Sequence, residues 1–155
     1  MRKLFFVLLL GILLFVVGCG ADTSTDEQKE PSKLCRVEIY SAQDNKLLTT
    51  IEEQEIINKL LETYEWEFVD NITEEFVPEY KLVVYQEKTL LYGQDEDKER
   101  DYEIIETIMT FKDSSYIEAS ISESVVKNMK VAKDNLIYYY IMPDEVMNEL
   151  KELVK

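Results

Sequence analysis

Hydrophobic and polar positions divide this chain into three successive regions. Leu4 to Val17 is a 14-residue block, uncharged and apolar apart from Gly11. Gly20 to Lys33 (GADTSTDEQKEPSK) has no aromatic or large aliphatic residue. Beyond it, apolar residues return with a period of two in some stretches and with helical spacing in others, the two signatures of half-buried strands and amphipathic helices.

Leu34 to Tyr40 alternates, placing Cys35, Val37 and Ile39 on one face, and predicts a strand. Ala42–Lys46 reads as a turn and Leu47–Ile51 as a strand pairing back. Thr50-Ile51-Glu52-Glu53 has capping-box spacing. It predicts a helix whose stripe is Ile56, Ile57, Leu60, Leu61 and Tyr64, with Glu55, Asn58, Lys59 and Glu62 facing water. Trp66–Val69 is expected as a short strand, and Asp70–Glu79 as an acidic loop ended by Pro78. Tyr80–Tyr85 and Thr89–Tyr92 are expected to form a hairpin around Gln86-Glu87-Lys88, closed by Gly93 and followed by the charged loop Gln94–Asp101. Tyr102–Phe111 (YEIIETIMTF) fits both templates: alternation groups Ile104 with Ile108, and helical spacing groups Tyr102, Ile105 and Met109. We read Tyr102–Met109 as helix. Tyr116–Ile121 reads as a strand, Ser122 as the cap of a short helix through Met129, and Leu136–Met142 as a central strand. Pro143 opens a C-terminal helix with Asp144 and Glu145 in its first turn and Val146, Met147, Leu150, Leu153 and Val154 as its stripe. The expected fold is α+β: one small domain of about five largely antiparallel strands packed against two to three helices.

The front of the chain adds an address. Met1-Arg2-Lys3 is positive, and the 14-residue apolar block falls short of the about 20 residues a membrane-spanning helix needs. Val16-Val17-Gly18-Cys19 closes the block. This box resembles the lipobox of bacterial lipoproteins, in which an aliphatic residue, a small or aliphatic one and Gly or Ala precede the lipidated Cys. The resemblance implies a signal peptide over residues 1–18, cleaved between Gly18 and Cys19. It also implies a diacylglyceryl thioether on Cys19, whose freed amine is open to N-acylation. At roughly 0.8 kcal/mol per buried methylene, two acyl chains hold a protein at the bilayer where one would exchange. Residues 19–33 then form a disordered acidic tether, with a coil reach of roughly 20 Å and about 50 Å when stretched. Residues 34–155 are the globular part. The chain resembles small cell-surface lipoproteins of Gram-positive bacteria, specifically over its first 19 residues, which implies the outer face of the cytoplasmic membrane.

Charge narrows the partners. The leader carries Arg2 and Lys3 but no acidic residue, so the mature chain keeps 15 basic against 32 acidic residues, a net charge near −17. Nucleic acid, which wants a basic face, is excluded, and so is a domain lying flat on anionic lipid. A cationic peptide or protein is the complementary partner. With Cys19 acylated, Cys35 has no intramolecular disulfide partner, and it reads as a small buried hydrophobe in its strand.

The chain has no histidine, which removes the commonest acid/base and transition-metal groups. Asp95, Asp97, Glu99, Asp101, Glu103 and Glu106 stand at the ligand positions of an EF-hand loop. Arg100, however, occupies the place of the turn glycine and Tyr102 that of an aliphatic residue, which favours a solvated loop. Ser124-Val125-Val126-Lys127 has the spacing of a penicillin-recognising nucleophile motif without its partner motifs, and Val125 and Val126 read as core. Glu74, Glu75 and Glu79 are the candidate carboxylates for a cell-envelope hydrolase. Trp66, Tyr80, Tyr85, Tyr92, Tyr138, Tyr139 and Tyr140 are candidate aromatic platforms, informative where exposed and adjacent. Ile12–Gly18 also resembles the short apolar pheromone peptides released from some lipoprotein signals. The expectation is a non-enzymatic binding or accessory lipoprotein without a cofactor, with an immunity-type protein that sequesters a cationic peptide as the alternative.

Overall fold

The structure, a computed structural model, describes residues 33–62, 66–90, 93, 99–126, 132 and 136–155. Seven strands and two helices are formed by these residues: β1 (Cys35–Ser41), β2 (Leu47–Ile51), α1 (Gln54–Leu60), β3 (Glu67–Val69), β4 (Pro78–Glu87), β5 (Tyr102–Phe111), β6 (Tyr116–Ile121), β7 (Ile137–Ile141) and α2 (Asp144–Leu153). All strands join one antiparallel sheet in the order β2-β1-β4-β5-β6-β7-β3. The α+β class holds, with seven strands in place of five.

Alternation decides which side of the sheet is dry. Val37 and Ile39 of β1, Leu82 and Val84 of β4, Ile108 of β5 and Ile117 and Ala119 of β6 share one face and are buried. The stripes of both helices complete this core, Ile57 and Leu60 from α1 and Val146, Met147 and Leu150 from α2. Among the described residues neither helix packs on the opposite face. Burial of some 15 such side chains, at roughly 25 cal/mol per Å² of apolar surface, is the main term holding the fold.

Local chemistry finishes the elements. Asn45 and Asp113 adopt positive φ (56° and 55°) in the β1–β2 and β5–β6 turns, a conformation their short polar side chains tolerate. At the start of β1, where β2 has already ended, the Gln54 side chain replaces a strand: its Oε1 accepts from Cys35 N–H at 2.9 Å and its Nε2 donates to Cys35 O at 2.7 Å. This bond locks the first residue of α1 to the sheet. The helix begins at Gln54 with Glu53 as its cap and no side-chain cap bond, because Thr50 is held in β2 opposite Glu38. The capping-box reading is therefore corrected.

The largest correction is β5. Tyr102–Met109 is not helix but most of a ten-residue strand. Register shifts between Val84 and Tyr85, so that Val84 faces Glu106 and Tyr85 faces Ile104. The unpaired Ile105 is turned into the core along with Ile108, whereas Tyr102 and Met109, which helical spacing groups with Ile105, stand opposite Glu87 and Lys81 on the other face. The partner of β4 is this strand rather than Thr89–Tyr92, of which Thr89 and Leu90 are not strand and 91–92 lie outside the described residues. A second shift, between Pro78 and Lys81, is bridged by Tyr80 N–H donating to the buried Thr110 Oγ1 at 3.2 Å. Glu123–Val126 forms turns rather than helix, and Val125 is exposed (54%), not core. The remainder of that expected helix, 127–129, lies outside the described residues.

Candidate functional site

The helix-free face of the sheet carries a polar-aromatic cluster spread across β1, β4 and the start of β5. Register sets it up: Arg36 stands opposite Tyr85, Glu38 opposite Val83 and Tyr40 opposite Lys81, and such directly opposed pairs are the unit of sheet side-chain contact. Glu38 is the hub. Its Oε2 accepts from the Tyr40 hydroxyl at 2.6 Å and from the Tyr85 hydroxyl at 2.8 Å, and its Oε1 lies 3.4 Å from Arg36 Nη2. The Arg36 guanidinium carbon sits 4.7 Å from the Tyr85 ring centroid and 5.1 Å from that of Tyr102, within cation–π range. Lys81 Nζ stands 4.9 Å over the Tyr40 ring and donates to Asn45 Oδ1. Charges and rings thus alternate across three strands.

Beside this cluster opens a cleft of about 510 Å³ lined by Arg36, Tyr85, Lys88, Glu99, Arg100, Asp101 and Tyr102. Its rim is tied by Lys88 to Asp101 at 3.3 Å and by Arg100 to Glu87 at 3.5 Å. Toward the β5–β6 end the same face is closed by Phe76, whose ring packs 5.7 Å from Phe111 and 5.5 Å from Tyr116.

Protonation states are set by this packing. Burial opposes charge on Glu38, but the Tyr40 and Tyr85 hydrogen bonds and the Arg36 guanidinium together hold its carboxyl below the ordinary value. Burial first, and the hydrogen bond to Glu38 second, push the Tyr85 phenol up to about 12. The Tyr40 phenol is raised chiefly by its own bond to Glu38, and that of Tyr102 by burial and then by the charges of Glu87 and Glu52. Glu38 is driven away from pH 7 on the acid side and the three phenols on the alkaline side, whereas a general acid or base works best with a pKa near the operating pH. The cluster presents fixed charges and donors, which suits binding.

The residues singled out in the sequence are dispersed. Tyr85 is in the cluster. Tyr139 shares the helix-free face, opposite Glu118 and Val69. Tyr80 and Tyr140 pack against the core and Trp66 is buried there, its ring T-shaped on Tyr140 at 5.7 Å. Tyr92 lies outside the described residues. Glu74 and Glu75 are exposed in the loop before β4, and Glu79 is half-buried. The EF-hand reading fails on geometry: Glu103 and Glu106 belong to a strand, and Asp101 is paired with Lys88. Asp95 and Asp97 lie outside the described residues. Among the described residues no three His, Cys, Asp or Glu side chains converge as a metal site. Ser124 Oγ donates to Ile104 O at 2.7 Å, a structural bond, and Lys127 lies outside the described residues. Cys35 is a free, half-buried thiol packed against the core, and Gly18 and Cys19 lie outside the described residues.

Arg36, Glu38, Tyr40 and Tyr102 were not among the candidate site residues. The alternation of RVEIY contains the first three, since it puts Arg36, Glu38 and Tyr40 opposite the core positions. Tyr102 is hidden by the helical spacing of its segment. No protein-family model matches the chain, no curated protein is similar to it, and no solved structure matches its fold.

Proposed function

We propose that the protein is a lipid-anchored extracytoplasmic binding module: Cys19 carries the anchor, residues 19–33 are the tether, and the helix-free face of the sheet is the working surface. The observation that carries the binding role is the Arg36–Glu38–Tyr40–Tyr85–Tyr102 cluster beside an open cleft. It places charged and aromatic groups where the fold does not need them for its core. The positive leader and the Val16–Cys19 box support the anchor.

Two experiments test the parts separately. Cys19→Ala is expected to abolish labelling by radioactive fatty acid; persistent label would contradict the anchor. A photo-cross-linking phenylalanine analogue at position 102 on intact cells is expected to give a discrete adduct, and the same analogue at position 148, an exposed residue of α2, none. Adducts from both positions, or from neither, count against the face.

The second reading, an immunity-type lipoprotein that sequesters a cationic peptide, is supported by the net charge near −17 of the mature chain. Calorimetry with cationic peptides at low salt tests it, and absence of heat would remove it.

A further inference from the structure

The cleft differs in composition from the chain around it. Arg36, Lys88 and Arg100 are three of the mature chain's 15 cations, and all three line the same 510 Å³. Each has a carboxylate neighbour, Glu38 at 3.4 Å, Asp101 at 3.3 Å and Glu87 at 3.5 Å respectively. These separations exceed the roughly 2.7–2.9 Å of a tight charge-assisted hydrogen bond. The neighbours lower the cost of gathering cations without taking up all of their N–H groups.

Arg36 is the best placed of the three. Tyr85 and Tyr102 hold its guanidinium through their rings. Its Nε is buried without an acceptor, and the side chain, 30% accessible, lines the cleft. A planar fork held by aromatic rings matches the two oxygens of a carboxylate and loses little freedom on binding it. Both tyrosines also line the cleft, where they would meet whatever adjoins that carboxylate. A dianion fits less well, because Glu38, Glu87, Glu99 and Asp101 stand at or near the cleft and the whole chain repels negative charge.

We propose that this cleft binds a ligand carboxylate of the peptide C-terminus class. Arg36 makes the bidentate contact, Arg100 and Lys88 assist, and Tyr85 and Tyr102 stack on the adjoining apolar side chain. The proposal rests on the reading of the helix-free face as the binding surface and names its ligand chemistry.

Calorimetry on the mature chain carrying Cys19→Ser tests it, with N-acetyl-alanyl-phenylalanine, its C-terminal amide and inorganic phosphate as probes. The acid is expected to bind with a Kd between about 10 µM and 1 mM, and the amide and phosphate at least about tenfold more weakly. Arg36→Lys keeps the charge but loses the fork, and is expected to weaken acid binding about tenfold. Lys88→Gln, at a side chain half exposed and remote from the core, is expected to weaken it roughly two- to threefold by lost electrostatic attraction. It decides the matter if Arg36→Lys does not fold by circular dichroism. Equal binding of acid and amide overturns the carboxylate contact while leaving the face as a binding surface. Tighter binding of phosphate, or no heat from the acid up to about 10 mM, overturns the proposal outright.

Discussion

The two faces of the seven-stranded sheet are built from the same strands by alternate residues, and they are constructed to different ends. On the helix-covered face Val37, Ile39, Leu82, Val84 and Ile108 are fully buried. One residue along, Arg36, Glu38, Tyr40, Lys81 and Tyr85 are only half-buried and spend their contacts on ion pairs, hydroxyl bonds and cation–π stacking. The first face provides most of the stability, since apolar burial scales with area. The second contributes little, because partly exposed ion pairs are worth about 0–1 kcal/mol each. A large aromatic and charged constellation that adds so little to folding is free to serve recognition.

That contrast breaks most visibly at the core. Ile108→Ala is expected to cost about 2–5 kcal/mol in urea unfolding, since Ile108 is fully buried in the middle of β5. A loss below 1 kcal/mol would mean that the covered face is loosely packed and the division between faces false.

On the other face Glu38→Gln is expected to cost about 1 kcal/mol at pH 7. The pH dependence sharpens the assignment. The folded carboxyl of Glu38 titrates below its unfolded value of 4.5, so its contribution is complete above that value and is lost as pH falls through the folded pKa. Wild type and variant should therefore converge below pH 4.5, as read by thermal unfolding over that range; a constant gap would remove the network from the explanation.

The smallest expected effect has the opposite sign. Glu106 stands opposite Val84 and Ile121 on the covered side, and burial raises its carboxyl above 4.5. The stability tied to this group is full below the unfolded value and falls as pH rises through the folded pKa, so at pH 7 the ionised form weighs against folding. Glu106→Gln should raise the Tm at pH 7 by about 2–4 °C, with the gain fading toward pH 4.5. No gain at pH 7 would place Glu106 in water.

Much of the covered face was legible in the chain because its signals are local. Alternation marks β1, an unbroken run of β-forming apolar and aromatic residues marks β7, and stripes at helical spacing mark both helices, since each pattern needs only neighbouring residues. β5 was obscured by its bulge at Ile105, which gives a strand the apolar spacing of a helix. The β4–β5 pairing was obscured by distance, since Lys88 to Asp101 separates the strands and no two-residue turn announces a hairpin. The cluster was legible only in part for a related reason. Arg36, Glu38 and Tyr40 follow from the period of β1, but their meeting with Tyr85 and Tyr102 depends on β1 lying beside β4 with β5 next to it. That order is a property of the whole sheet: after β1 the chain forms the near edge with β2, passes through α1 and lays β3 at the far edge before β4 returns to β1's side.

The most direct test of the division between faces is a backbone amide chemical-shift map of the mature chain titrated with N-acetyl-alanyl-phenylalanine. Shifts confined to Arg36, Tyr85, Lys88, Arg100, Tyr102 and their strand neighbours, with Ile57, Leu60, Val146 and Leu150 unmoved, are what the two-faced sheet predicts. Shifts centred on α1 and α2 would place binding on the covered side and contradict it.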